Sequence, residues 1–200
     1  MLVRDYMCKN PVTVTGHDTL VTAHEKMLDG RFRHLPVVRD GHVIGILSDR
    51  DVRSHTGTEA RTRVETAMTK DPITISPLST VEEAARLLLR RQISALPIVQ
   101  EGRLAGIITT NDVLHAFLDL TGAAVEDSVR LDVVQANGGV NMSDAVMLMH
   151  ERAVDVLGVG VYQDPERARS VFYLRLYKAD AEAAAAALRN KGYTVLGVHP

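Results

Sequence analysis

Nine residues written twice at a fixed interval constrain this chain more than any other feature. Val3, Met7, Pro11, Leu35, Pro36, Gly41, Gly45, Asp51 and Val52 recur as Val64, Met68, Pro72, Leu96, Pro97, Gly102, Gly106, Asp112 and Val113, each pair 61 positions apart without a gap. A register kept over that distance means one supersecondary unit used twice. Within each copy the pattern reads strand, helix, strand, strand, helix. Pro11 to Thr15 is a short β-rich run, and Asp18 can cap a helix whose Leu20, Ala23, Met27 and Leu28 share a face. In copy two, Ser79 and Glu82 form a capping box ahead of Ala85, Leu88 and Leu89. Leu35 to Val38 and Val43 to Leu47 are strands joined through Asp40-Gly41, a pair that tolerates the positive φ of a tight hairpin; Glu101-Gly102 takes the same place in copy two. These strands are apolar nearly throughout, which predicts a sheet covered on both faces. One copy is too small to cover it, so the two should pack side by side with a pseudo-twofold cleft between them.

Directly after the last strand of each copy comes Gly-x-x-(Ser/Thr)-x-x-Asp: Gly45, Ser48 and Asp51, then Gly106, Thr109 and Asp112. Two readings share this geometry. In one, the hydroxyl caps a helix and the acid complements its dipole. In the other, the helix start aims free N–H groups at an anion, the hydroxyl adds a bond, and the carboxylate accepts both hydroxyls of a ribose. On the second reading, Gly45 and Gly106 lack a Cβ so that a ligand can come close to the backbone.

The segments VRDYMCKNPVTV and RHLPVV-x-x-G-x-x-x-GILSDRDV, with their second copies, resemble the cystathionine-β-synthase (CBS) domain, whose tandem pair is called a Bateman module. The resemblance covers about residues 1 to 120. It implies a pair that binds AMP, ADP, ATP, NAD or S-adenosylmethionine and senses rather than catalyses. Carried onto this sequence, it implies that Asp51 and Asp112 hold ribose and that Ser48 and Thr109 contact ribose or phosphate. It further implies that Val12-Thr13, Leu35-Pro36, Ile73-Thr74 and Leu96-Pro97 frame the adenine. Beside the motifs, copy one offers Arg33, His34 and Arg50 where copy two has Ser94, Ala95 and Asn111, so the two sites should be unequal.

After Leu120 the pattern changes. Residues 121–127 read as a linker and 128–200 as a second kind of domain, with 1–62 and 63–120 as the two repeats. The predicted elements are a strand over 129–136, a loop at 137–139, a helix capped by Asn141 through about Arg152, strands over 154–162 and 170–177, a helix from Asp180 to Lys191 and a last strand over 193–198. That order, βαββαβ, is ferredoxin-like, and the fold class is α+β. The alanine run 183–187 reads as helix propensity and close packing, and Met142, Met147 and Met149 as core filling. The region resembles an ACT domain, although the usual acidic-x-Pro-Gly turn is replaced by Ala136-Asn137-Gly138-Gly139-Val140. The whole order is similar to that of acetoin-utilisation CBS/ACT proteins. CBS pairs and ACT-like sheets both associate, so a homodimer acting on a target enzyme is expected.

A formal net charge of −2 supplies no basic field for nucleic acid or anionic lipid. Cys8, the sole cysteine, cannot form an internal disulfide, which fits a reducing cytoplasm. Arg4, Asp5 and Lys9 break any apolar run at the start, and no stretch nears the ~18 apolar residues of a membrane span. The eight histidines are scattered without metal spacing, and no P-loop or nucleophile-elbow motif occurs. No catalytic residue, catalytic cofactor or metal is therefore expected. The competing reading is a structural adaptor that docks partners and takes no nucleotide.

Overall fold

The computed structural model describes residues 1–135, 142–165 and 169–200. The chain divides into two compact units, Met1–Ala116 and Phe117–Pro200. In the first, copy one contributes α1 (Val3–Tyr6), β1 (Cys8–Lys9), α2 (Leu20–Gly30), β2 (His34–Arg39), β3 (His42–Ser48) and α3 (Asp49–Arg53). Copy two repeats this as α4 (Val64–Ala67), β4 (Thr69–Lys70), α5 (Val81–Arg91), β5 (Ala95–Gln100), β6 (Arg103–Thr109) and α6 (Thr110–Thr121), whose residues from Phe117 onward fall in the second unit. The hairpins form as expected: Asp40 and Gly41 have φ of 52° and 82°, Glu101 and Gly102 51° and 78°, the paired positive values of a type I′ turn.

The two copies exchange their first segments. Strand β1 of copy one pairs with β6, Cys8 opposite Ile107, while β4 of copy two pairs with β3, Ile46 opposite Thr69. The cores follow the same crossing. Val64 closes the cluster of Val14, Leu20, Ala23, Met27, Leu35, Val37, Leu47 and Val52. Val3 closes that of Ile75, Ala84, Leu88, Leu96, Ile98 and Ile108. Both valines are wholly buried. Each three-stranded sheet, β2-β3-β4 and β5-β6-β1, thus takes its third strand from the other copy.

This crossing corrects several sequence expectations. Helix α2 is capped by Thr19, whose Oγ1 accepts from Thr22 N at 3.3 Å, and α5 by Thr80, which accepts from Glu83 N at 3.2 Å; neither Asp18 nor the Ser79–Glu82 pair is the cap. The preceding residues serve the exchange, since the carbonyls of Asp18 and Ser79 accept from Val64 N and Val3 N, each at 2.9 Å. Burial shifts accordingly: Leu20, Ala23 and Met27 are buried while Leu28 is 64% exposed. In α5 the inner face is Val81, Ala84 and Leu88, with Leu89 78% exposed. Of the run Pro11–Thr15 only Val14 joins a ladder, bridging Val37; Pro11 has no N–H to give. Because each threonine satisfies one otherwise orphaned helix N–H, Thr19→Ala or Thr80→Ala should lower the stability of this unit by about 1 kcal/mol, measured by urea unfolding.

The glycines of the motif are also explained by the exchange. A Cβ on Gly45 would lie 2.4 Å from Met68 Sδ and 3.1 Å from the Thr69 carbonyl oxygen. On Gly106 it would lie 2.9 Å from Met7 Sδ and 2.8 Å from the Cys8 carbonyl oxygen. The space expected for a ligand is occupied by the incoming strand and its methionine.

The second unit holds β7 (Ser128–Gln135), α7 (Met142–Glu151), β8 (Val156–Asp164), β9 (Arg169–Tyr177), α8 (Ala181–Asn190) and β10 (Tyr193–His199). The sheet order β10-β7-β9-β8, antiparallel throughout, completes the ferredoxin-like βαββαβ arrangement. Val129, Leu131, Val133, Phe172, Leu174 and Leu176 face α7 and α8, where Ala184, Ala185 and Ala187 give the close approach expected of the alanine run. Met149 is buried and Met142 packs at the core's edge, but Met147 is 61% exposed and fills no core. Asp180 precedes α8 without a side-chain cap bond, because a 3-10 turn over Lys178–Asp180 already leads the chain into the helix. The expected loop at 137–139, the Ala136–Val140 turn and the Asn141 cap lie outside the described residues.

Candidate functional site

Strand β3 ends at Ser48, whose extended backbone (φ −109°, ψ 160°) turns the chain into α3. Its Oγ accepts from Asp51 N at 3.3 Å, while Asp51 Oδ2 accepts from Ser48 N at 2.8 Å and from Ser48 Oγ at 2.7 Å. The second motif repeats this closely: Asp112 Oδ2 accepts from Thr109 N and Thr109 Oγ1, both at 2.7 Å, and Asp112 N donates to Thr109 Oγ1 at 3.4 Å. Both motifs are therefore capping boxes. Capping uses Oδ2 of each acid, and among the described residues none bonds Oδ1 of either. Both carboxylates are half-buried and retain one oxygen to offer.

A cleft of about 520 Å³ opens beside the first motif, within the range of small-molecule sites. Copy one supplies Arg33, His34, Ile46, Ser48, Asp49, Arg50, Asp51 and Arg53 to it; copy two supplies Thr69, Asp71, Pro72, Ile73 and Gln92 to Ala95. Of the residues singled out from sequence, Arg33, His34, Ser48, Arg50, Asp51 and Ile73 come together here. Thr109, Asn111 and Asp112, at the end of β6, do not line this cleft, and neither do Val12, Thr13, Leu35, Pro36, Thr74, Leu96 or Pro97. Leu35 and Leu96 have no exposed surface and belong to the two cores. Val12 is 46% exposed, and the Thr13 carbonyl accepts from Lys26 Nζ at 3.0 Å.

The crossing explains why Ile73 and Asp51 meet although they belong to different copies: Ile73 follows β4, which is paired with β3. Sequence reasoning did not place Ile73 beside Asp51 and missed Asp49, Arg53, Thr69, Asp71 and Gln92. The available signal was the fixed offset of Thr69 and Asp71 from Met68, uninterpretable without knowing that this segment crosses. Arg53 pairs with Asp49 at 2.9 Å, one helical turn away, so that Arg33 and Arg50 are the cleft's cations without an ion-pair partner among the described residues. His34 Nε2 lies 3.0 Å from Ser94 Oγ, a hydrogen bond that ties the two copies across the cleft. Burial lowers the pKa of His34, the neighbouring Arg33 lowers it further, and Asp51 and Asp49 oppose them.

In the second unit the buried Asp132 gathers a separate polar group. Arg130 donates to both its oxygens at 2.7 and 2.8 Å, and Tyr162 Oη donates to Oδ2 at 2.8 Å. The Arg130 guanidinium also lies 5.2 and 5.1 Å from the ring centroids of Tyr162 and Tyr173. Burial, then the bond to Asp132, raises the Tyr162 pKa. These four residues passed unnoticed in the sequence because Arg130 and Asp132 read as ordinary outward positions of a strand. Among the described residues no group of three or more His, Cys, Asp or Glu could hold a metal ion, and no helix is long and apolar enough to cross a membrane.

A duplicated α/β unit whose copies exchange a strand and share a cleft defines a class of tandem-repeat modules. The profile described as "CBS domain" matches residues 3–56 and 64–119, more than half of the chain, and the protein belongs to that family. It is 33% identical over 111 residues to inosine-5′-monophosphate dehydrogenase of Korarchaeum cryptofilum, an alignment covering 55% of this chain and 23% of that enzyme. The chain thus spans about a quarter of the length of such curated relatives. Among solved structures it is similar to the CBS domain pair of protein MJ0100 in complex with 5′-methylthioadenosine and S-adenosyl-L-methionine (27% identity, TM-score 0.55, covering 58% of this chain and 95% of that one). CBSX2 in complex with AMP is alike at 29% identity and TM-score 0.54, covering 58% and 96%. A protein named for acetoin utilization (AcuB) from Vibrio cholerae matches at 28% identity and TM-score 0.54, covering 59% and 90%.

Proposed function

We propose that the chain is a regulatory protein, not an enzyme, that senses an adenosine-containing ligand in the cleft between its CBS repeats. The observation that carries this reading is the convergence, on one cleft, of the Ser48–Asp51 motif, the cations Arg33 and Arg50, and apolar Ile73 from the other copy. Asp51 Oδ1 accepts from the ribose hydroxyls, Arg33 and Arg50 face the phosphate, and the adenine lies on Ile73. By the 61-residue offset, Asp112, Thr109 and Asn111 with Val12 form the counterpart, without Arg33 or His34 to read phosphate. AMP, ADP or ATP suits the first cleft; 5′-methylthioadenosine or S-adenosylmethionine, present in the MJ0100 pair, suits a site with fewer cations.

The two repeats (1–62 and 63–120) act as one Bateman module, 121–127 as the linker, and 128–200 as an ACT-like domain through which the protein forms a homodimer or docks on a target enzyme. The adaptor reading has one observation in its favour: both motif acids already spend an oxygen on their own helix caps. A thermal-shift and calorimetry panel of AMP, ADP, ATP, NAD, 5′-methylthioadenosine and S-adenosylmethionine decides between them. A ligand at 100 times its dissociation constant stabilises the module by about 2.7 kcal/mol. No shift with any of the six would leave only the adaptor.

A further inference from the structure

Among the described residues, His34 is the one ionisable side chain in the cleft that bonds directly to the opposite repeat. Its counterpart in copy two is Ala95, which cannot titrate, and its partner Ser94 stands where copy one has Arg33. The charged groups around it are Arg33 beside it, Asp49, Arg50, Asp51 and Arg53 from α3, and Asp71 beyond β4; Gln92, Ile93 and Ser94 bring no charge from the α5–β5 side. Burial and Arg33 outweigh Asp51 and Asp49 and hold the imidazole below its ordinary pKa, which favours its neutral form at pH 7. In that state its bond to Ser94 is satisfied with either tautomer.

A phosphate dianion seated between Arg33 and Arg50 would add two negative charges to this balance. It would offset Arg33 and give a second imidazole N–H an acceptor, so the charged form becomes favoured. We propose that His34 takes up a proton when a phosphate-bearing ligand enters the cleft, which makes it the residue that separates phosphorylated from unphosphorylated adenosine ligands. This rests on the reading of the cleft as an adenosine site. It differs from charge attraction by Arg33 and Arg50, which binds phosphate without any exchange of protons with solvent.

The test is calorimetry of the full chain with AMP and with adenosine at pH 7.5, in buffers of differing ionisation enthalpy. At that pH the AMP phosphate is mainly dianionic, its second pKa being about 6, so its own titration contributes little. AMP binding should absorb about half to one proton, and its affinity should rise several-fold, at most about tenfold, from pH 8 to pH 7. Adenosine should show neither effect. His34→Gln should abolish the uptake and weaken AMP about tenfold. AMP binding with no proton uptake, or uptake that persists in His34→Gln, overturns the proposal and leaves the adenosine site standing. Binding of neither ligand overturns both. Should the variant not fold, the buffer series on the unaltered protein decides alone.

Discussion

Asp51→Ala is expected to weaken binding of the adenosine ligand proposed for the Arg-lined cleft by about 10- to 150-fold, the span of 1.5 to 3 kcal/mol for hydrogen bonds to a charged group. The expected loss lies with Oδ1, which no described residue engages, because Oδ2 is held by Ser48 N and Ser48 Oγ at 2.8 and 2.7 Å. The same substitution also removes half of a capping box, at a cost of about 1 kcal/mol in stability. Calorimetry on the variant, with its unfolding followed in parallel, separates the two effects. Asp112→Ala damages an equivalent cap on the second motif, so a loss of affinity shared equally by the two variants would trace to the caps. Unchanged affinity in both would remove ribose from the description of these acids.

Gly106→Val destabilises the first unit by about 3 kcal/mol, the upper part of the range for overpacking. An added Cβ would sit 2.8 Å from the Cys8 carbonyl oxygen, a backbone atom held in the pairing of Lys9 with Gly106. A flexible methionine tail can swing aside; a strand carbonyl moves only with its strand. Met7→Ala in the same chain should therefore restore only part of the loss, relieving the 2.9 Å contact with sulfur and not the one with oxygen. The urea midpoint should fall with an unchanged slope, as for a stability effect within a single cooperative unit. A midpoint unaltered by the valine would mean that β1 does not sit on β6.

Much of the fold was legible in the chain. Hairpins at Asp40-Gly41 and Glu101-Gly102 follow from local chemistry, because few dipeptides accept two consecutive positive φ values. The βαββαβ order of the second unit follows from periodicity and breakers in the same way. Helix starts were misplaced by one residue. Asp18 beside Thr19 and Ser79 beside Thr80 offer equivalent oxygens to a first turn, but the Asp18 carboxylate is taken by Thr15 N at 2.7 Å, and the carbonyls of Asp18 and Ser79 are held by Val64 N and Val3 N from the other copy. The exchange itself left no local mark. Met7 and Met68 sit at matched positions whether each packs at home or abroad, and pattern does not say which sheet a two-residue strand will join. Candidate site residues fared accordingly: those on α3 and its approach converge on the cleft, whereas partners reached only through the crossing, such as Asp71 and Thr69, were missed.

The borrowed strands bear on how such a module can be divided. A single copy cut free near residue 62 would carry a segment shaped for a sheet it no longer has, and would lack the valine that plugs its own interior. It would be left with apolar surface bared at two places, and a sister molecule offering the same segment would satisfy it. Self-association is thus built into the isolated half, and the tandem gene turns that intermolecular trade into an internal one.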